Sequence, residues 1–223
     1  MNGIFVTGTD TNVGKTWVGA HLISALCDQG NNIALRKPIE SGWDESSVEK
    51  TDAYILAKAA SQLDDLNNIC PNRFSRPISP VRAATLEGKT LSIETVKNQC
   101  IIGVEANDFL YVEGAGGFYS PLCVDGLNAD LANALDLPIL LVAENRLGCI
   151  NQVLLNVEAI KQRGLKLKAV VLNDISGDDP SHEMNNAEDL SDMLDCPIFT
   201  THLNQTSIND FVKLALLISA GGG

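Results

Sequence analysis

Two kinds of segment alternate along the chain. Short, mostly apolar runs of four or five residues occur at Ile4 to Thr7, Ile33 to Lys37, Phe109 to Glu113, Ile139 to Ala143, Ala169 to Asn173 and Pro197 to Thr200. Between them lie longer amphipathic stretches: Lys15 to Asp28, Asp52 to Ser61, Pro80 to Glu87, Ile93 to Val104, Ala129 to Leu135, Ile150 to Arg163, Glu183 to Leu194 and Ser207 to Leu217. The first set predicts strands and the second helices, the alternation expected of parallel strands joined by helical crossovers. Gly30 and Gly164 stand where helix ends favour a left-handed residue, and Pro138 and Pro197 stop the helices before them. The expected fold is therefore α/β, a mostly parallel sheet with helices on both faces. Ligands of such sheets collect beyond the carboxyl ends of the strands. That directs attention to the loops after Thr7, Lys37, Glu113, Ala143, Asn173 and Thr200, with the polar stretch Ser41 to Lys50 as a mobile loop beside them.

Composition narrows the partners. The 223 residues are 45% apolar, enough for one substantial core, so residues 1–219 read as a single domain and 220–223 as a flexible tail. A net charge of −12 repels phosphate backbones and acidic headgroups, which argues against nucleic-acid and membrane partners. Six cysteines are scattered without a close pair, giving neither a zinc spacing nor a disulfide framework; they read as reduced, buried apolar groups. The start of the chain shows no basic leader or long apolar stretch, so a cytoplasmic location is expected.

The chemistry begins at the first strand. It runs into Gly8-Thr9-Asp10-Thr11-Asn12-Val13-Gly14-Lys15-Thr16 and then an amphipathic helix, the strand, loop and helix context of a phosphate-binding loop. Backbone N–H groups around Val13 to Thr16 point at phosphate, and the helix end adds roughly 0.3 to 2 kcal/mol of favourable electrostatics. Lys15 neutralises phosphate oxygens, and the Thr16 hydroxyl is the expected magnesium ligand. Five residues separate Gly8 from Gly14, one more than the usual spacing, which makes this a variant loop. These features predict a P-loop NTPase fold that binds ATP with Mg2+.

Other residues extend the site. The run Phe109 to Val112 ends in Glu113, an acid able to reach a metal, and Gly114-Ala115-Gly116-Gly117 lets backbone approach a polyphosphate closely. Asp52 reads either as a helix N-cap or as a further magnesium ligand. Lys37, next to Pro38 and followed by Ser41-Gly42, projects a cation from the same rim; it is either a phosphoryl-binding group or a solvated strand-end lysine.

Five blocks taken together resemble dethiobiotin synthetases: Thr7 to Thr16, Lys37-Pro38-Ile39-Glu40-Ser41-Gly42, Val112 to Gly117, Leu147-Gly148-Cys149-Ile150-Asn151 and Asn173-Asp174. They occur in order over nearly the whole chain. The resemblance implies an ATP-dependent cyclo-ligase acting on 7,8-diaminopelargonic acid and CO2 through a carbamate and a carbamic-phosphoric anhydride. It implies Thr11, Lys37 and Ser41 around the amines and carbamate, with Lys15, Lys37 and Thr11 catalytic, and Thr16, Asp52 and Glu113 on magnesium. It further implies Asn12, Val13, Gly14, Lys15, Thr16 and Trp17 around the phosphates, with Gly114, Ala115 and Gly116 beside them. By the same resemblance, Asn173, next to Asp174, is expected to offer an amide to adenine. Gly148, Cys149, Ile150 and Asn151 are expected to bind the distal substrate carboxylate across a homodimer interface, where a helix N-terminus suits an anion.

The chain departs from the family pattern after the last strand. Phe199-Thr200-Thr201-His202-Leu203-Asn204 stands in place of a proline-containing turn, so no adenine contact is carried onto it. His202 reads as a rim residue, and His21 and His182 as structural ones. The competing function is a partner-regulated ATPase of the partition or septum-site type; such proteins carry a signature lysine early in the loop, where this chain has Asp10.

Overall fold

The computed structural model describes residues 1–175, 184–202 and 208–220. In chain order it forms β1 (Gly3–Gly8), α1 (Lys15–Asp28), β2 (Ile33–Arg36), β3 (Ile39–Ser41), α2 (Asp52–Ala59), α3 (Leu66–Ile69) and β4 (Asn72–Phe74). Next come α4 (Pro80–Leu86), α5 (Ile93–Ile101), β5 (Phe109–Gly117), β6 (Pro121–Cys123), β7 (Gly126–Leu127), α6 (Asn128–Leu135) and β8 (Ile139–Glu144). The chain continues through α7 (Cys149–Gln162), β9 (Leu167–Asp174), α8 (Asn186–Met193), β10 (Ile198–His202) and α9 (Ile208–Ser219).

Six strands make one sheet in the order β10-β9-β8-β1-β5-β2, all pairs parallel. Strand order reverses around β1, which pairs with β5 on one side and β8 on the other. The phosphate loop therefore leaves the sheet at its topological switch point. Each central strand is apolar on both faces, and alternate residues feed different cores. Ile4, Val6, Tyr111, Leu140 and Val171 pack under α1, α2 and α9; Phe5, Val112, Leu141 and Val170 pack under α5, α6, α7 and α8. This is why those strands read as unbroken apolar runs.

All six predicted strands join this sheet, and the differences are local. β2 stops at Arg36, leaving Lys37 just beyond the sheet. The helix expected to reach Val104 ends at Ile101, before Gly103 at φ 70°. The segment Ser41 to Lys50, expected to be mobile, is pinned at its start. There β3 pairs with β4, the Trp43 N–H donates to the Phe74 carbonyl at 2.9 Å, and the Arg73 guanidinium lies 4.3 Å from the centre of the buried Trp43 ring. The loop expected after Glu113 begins later, because β5 runs through the glycines to Gly117. Glu183, His182, Leu203, Asn204, Ser207 and Gly221 to Gly223 lie outside the described residues.

All six cysteines are free; Cys70, Cys100, Cys123 and Cys149 are buried, while Cys27 and Cys196 are half-buried. Burial pushes the thiols of Cys70, Cys100 and Cys123 up to about 12, which keeps them protonated and unreactive. A thiol reagent added to the native protein should therefore label the half-buried Cys27 and Cys196 first and the other four only on unfolding. Fast labelling of Cys100 would contradict this packing. Among the described residues, no helix is long and apolar enough to cross a membrane.

Candidate active site

The loop between β1 and α1 is shaped by its own backbone. Gly14 occupies the N-cap of α1 at φ 88°, and no side chain caps the helix. The leading N–H groups are thus left facing the loop, as an anion site requires. Asn12 also takes a left-handed conformation, φ 58°. The Asp10 carboxylate accepts from the Thr11 N–H at 2.7 Å, and the Lys15 ammonium donates to the Asp10 carbonyl at 2.9 Å, so the lysine folds back across the loop. Burial and the neighbouring Lys37 pull the Lys15 ammonium down to about 8 against the pull of Glu113, Asp52 and Asp10. Two cations share this rim.

Lys37 is the second. The parallel pairing Arg36↔Val112 sets the end of β2 beside the middle of β5, which puts Lys37 next to Glu113. Its ammonium lies 2.7 Å from Glu113 Oε1, 3.0 Å from Asp52 Oδ2 and 3.2 Å from the Gly114 carbonyl. Burial opposes the charge on Lys37, but the carboxylates of Asp52, Glu113 and Glu40 outweigh it and raise its pKa. Asp52 moves the opposite way: burial is overcome by Lys37, Thr16 and Lys15, which hold its carboxyl low. Glu113 is wholly buried and also accepts from the Thr16 hydroxyl at 2.8 Å and from the Tyr111 hydroxyl at 3.4 Å.

Thr16, Asp52 and Glu113 thus converge on one cationic point. An all-oxygen set of one hydroxyl and two carboxylates suits magnesium, which takes its remaining ligands from phosphate and water. Among the described residues there is no cluster of three or more His, Cys, Asp or Glu side chains able to hold a metal unaided. The Lys37 ammonium, bridging both carboxylates, demonstrates that this position favours positive charge. Asp52 is not the cap of α2; Thr51 is, accepting from the Tyr54 N–H, and Asp52 is the first helical residue.

Lys15, Lys37 and Asp52 open into a cavity of about 530 Å³. Its polar wall includes Thr11, Asn12, Lys15, Lys37, Ser41 and Asp52, with Ala115 and Gly116 opposite; Ile39, Ile78, Pro77 and Pro80 add an apolar side. Among the described residues, the buried Ser41 and Thr9 hydroxyls have no hydrogen-bond partner. Asn128, which the sequence reading missed, braces the far wall: its Oδ1 accepts from the Ala115 N–H, and its Nδ2 donates to the Ala115 and Gly117 carbonyls at 2.7 and 3.0 Å. No local pattern announces such a brace.

Other expected residues lie outside this cavity. Asn173 is buried behind the loop, donating to the Val13 carbonyl at 3.1 Å and accepting from the Thr201 hydroxyl at 2.9 Å. Asp174 lies next to it, 3.4 Å from the His202 ring. Trp17 packs beside His21 and Phe211, with ring centres 4.3 and 5.9 Å away. Gly148 to Asn151 form the start of α7, which begins at Cys149 with Gly148 as its left-handed cap. In a single chain that helix start does not line the cavity, and the adjacent Leu147 is 84% exposed.

Comparison with known proteins agrees with this geometry. A family model described as an AAA domain matches residues 2–211. The ATP-dependent dethiobiotin synthetase BioD of Anaeromyxobacter dehalogenans is 42% identical over 84% of this chain and 84% of its own length. The ATP-dependent dethiobiotin synthetase BioD of Bacillus licheniformis is 33% identical over 98% of this chain and 97% of its own. Among solved structures, the cell division ATPase MinD of Pyrococcus furiosus superposes with a TM-score of 0.52 over 98% of both chains at 19% identity, a likeness of fold alone. With phosphate loop, acid and lysine in place and identity at this level along most of its length, the chain belongs to the dethiobiotin synthetase family.

Proposed function

We propose that this protein closes the ureido ring of dethiobiotin from 7,8-diaminopelargonic acid, CO2 and ATP. The observation that carries the reading is Lys37, a buried ammonium held between Glu113 and Asp52 on the floor of the cavity next to the phosphate loop. A phosphate-binding module needs Lys15 and the loop, but it has no use for a second buried cation beside an apolar wall.

The reaction joins two anions that repel each other. One substrate amine takes up CO2 and releases a proton, giving a carbamate; a carbamate oxygen attacks the γ-phosphorus and ADP leaves. The second amine then attacks the carbonyl carbon of the mixed anhydride, closing the ring and releasing phosphate and a proton. Lys15 lies along the phosphate chain, and Lys37 donates to the transferring phosphoryl group and the carbamate, where charge accumulates in the transition state. Thr11 and the unpartnered Ser41 hydroxyl orient the amines. Thr16, Asp52 and Glu113 would hold magnesium, which would supply positive charge against the phosphates.

The backbone from Asn12 to Trp17 grips the phosphates, flanked by Gly114, Ala115 and Gly116. Asn173 first fixes Val13; meeting adenine requires it to exchange one of its present bonds, with Asp174 alongside. The helix start Gly148-Cys149-Ile150-Asn151 serves the distal carboxylate of a second copy's substrate, which makes the working enzyme a homodimer. A cytoplasmic location accords with substrates of this kind. Incubated with ATP, magnesium, bicarbonate and the diamine, the purified protein should yield dethiobiotin by mass; ATP turnover indifferent to the diamine would overturn the reading in favour of a switch ATPase.

A further inference from the structure

Lys37, Glu113 and Asp52 meet in one cluster, and two of the three are set by the sheet. Lys37 follows β2 and Glu113 lies within its neighbour β5, so main-chain pairing fixes both. Asp52 has no such support. It opens α2, a helix of eight residues that starts after the long connection from β3.

The link is Glu40. From β3 its Oε1 accepts from the Asp52 N–H at 2.7 Å and its Oε2 from the Ala53 N–H at 2.9 Å. The side chain is almost wholly buried at 7% exposure. The helix does not need it in order to begin, because Thr51 already caps α2: its Oγ1 accepts from the Tyr54 N–H at 3.3 Å. What a two-pronged carboxylate adds is lateral placement, tying the first turn of α2 to the strand that carries Ser41 and follows Lys37-Pro38. A carboxylate buried this deeply is costly to keep, and helix capping alone does not account for it.

We propose that Glu40 is a positioning residue for the magnesium site: it holds Asp52 where its carboxylate can share one cation with Glu113 and Thr16. This rests on the reading of Thr16, Asp52 and Glu113 as the magnesium cradle.

The test is magnesium titration of nonhydrolysable ATP-analogue binding, followed by calorimetry, with thermal unfolding recorded alongside. No diamine is present, so the outcome is independent of whether dethiobiotin is formed. Glu40→Gln keeps the shape but turns an NH2 toward one of the two amides; it should raise the magnesium needed for half-maximal tightening about tenfold, the usual effect of losing a residue that orients a metal ligand. Glu40→Asp keeps the charge but is one methylene short, and should shift it in the same direction. Thr51→Ala removes the cap of the same helix and should lower the unfolding temperature with magnesium dependence unchanged within about twofold. The proposal is overturned if Glu40→Gln titrates like wild type, or if Glu40→Asp does so while Glu40→Gln does not, which would make the effect one of charge and not of position. It also falls if Thr51→Ala shifts magnesium as far as Glu40→Gln, or if wild-type binding of the analogue ignores magnesium.

Discussion

Replacing Lys37 with alanine should lower the rate of dethiobiotin formation by more than about 100-fold, as loss of a transition-state donor does. The ammonium lies 2.7 Å from Glu113 and 3.0 Å from Asp52. In the proposed mechanism it lies where the phosphoryl group and carbamate must be drawn together. The phosphate loop remains whole, so the KM for ATP should change little while kcat falls. A second effect is expected in the unliganded protein. Glu113 is wholly buried, and removing its cation leaves that charge uncompensated; a fully buried broken pair costs about 3–5 kcal/mol. The Asp52 side chain is 43% exposed, so water screens its share and the lower end of that range applies. Magnesium with ATP should restore part of the lost stability by supplying positive charge to the same carboxylates. Steady-state kinetics and thermal unfolding with and without Mg-ATP read out the two effects. A Lys37→Ala protein with unchanged kcat would show that the buried lysine serves only to neutralise the acids.

Gly14→Ala should abolish tight nucleotide binding, with ADP affinity falling by about 100-fold or more, the scale of effect seen when binding groups move by an ångström. Two causes add. At φ 88° an alanine pays about 1–2 kcal/mol for the left-handed conformation. Its Cβ would also lie 2.0 Å from Asn173 Nδ2. Asn173 cannot swing away, because it is buried on β9 and bonded to both Val13 and Thr201. The loop must therefore shift, taking the Lys15 and Thr16 N–H groups with it. Gly30→Ala is the matched control. Gly30 has φ 84° with nothing within 4 Å of an added Cβ, so it should show the backbone cost in stability and no change in ADP affinity. Wild-type ADP binding by Gly14→Ala would mean that loop and β9 are not coupled as described.

Much of this site is visible along the chain. The glycine and lysine spacing after the first apolar run marks the phosphate loop, and Lys37 and Glu113 both stand at predicted strand ends on the ligand-binding rim. What spacing cannot supply is neighbourhood. Lys37 and Glu113 are far apart in sequence, and they meet because β5 lies between β1 and β2. Likewise, Asp52 has two readings in isolation; only the position of α2 against β3 turns it toward Lys37 and leaves capping to Thr51. The short β3 and β4 were not foreseen, because three residues after a proline carry no periodicity to read. Glu40 and Asn128 were missed for a related reason. Both act by hydrogen-bonding the backbone of a distant segment, and a side chain bonding to main chain leaves no matching residue type at the other end.

The sequence by itself determined the six strands of the main sheet and the longer helices, the rim on which ligands collect, and the side chains able to handle phosphate. These follow from short-range causes: apolar runs buried on both faces, glycines where φ is positive, and a loop whose own N–H groups bind anions. The tertiary structure decided which acids share Lys37, that Asn173 braces the phosphate loop, and that the start of α7 stands outside the cavity of its own chain. Those outcomes depend on strand order and helix placement, which are set by burying both faces of the whole sheet at once and not by any single segment.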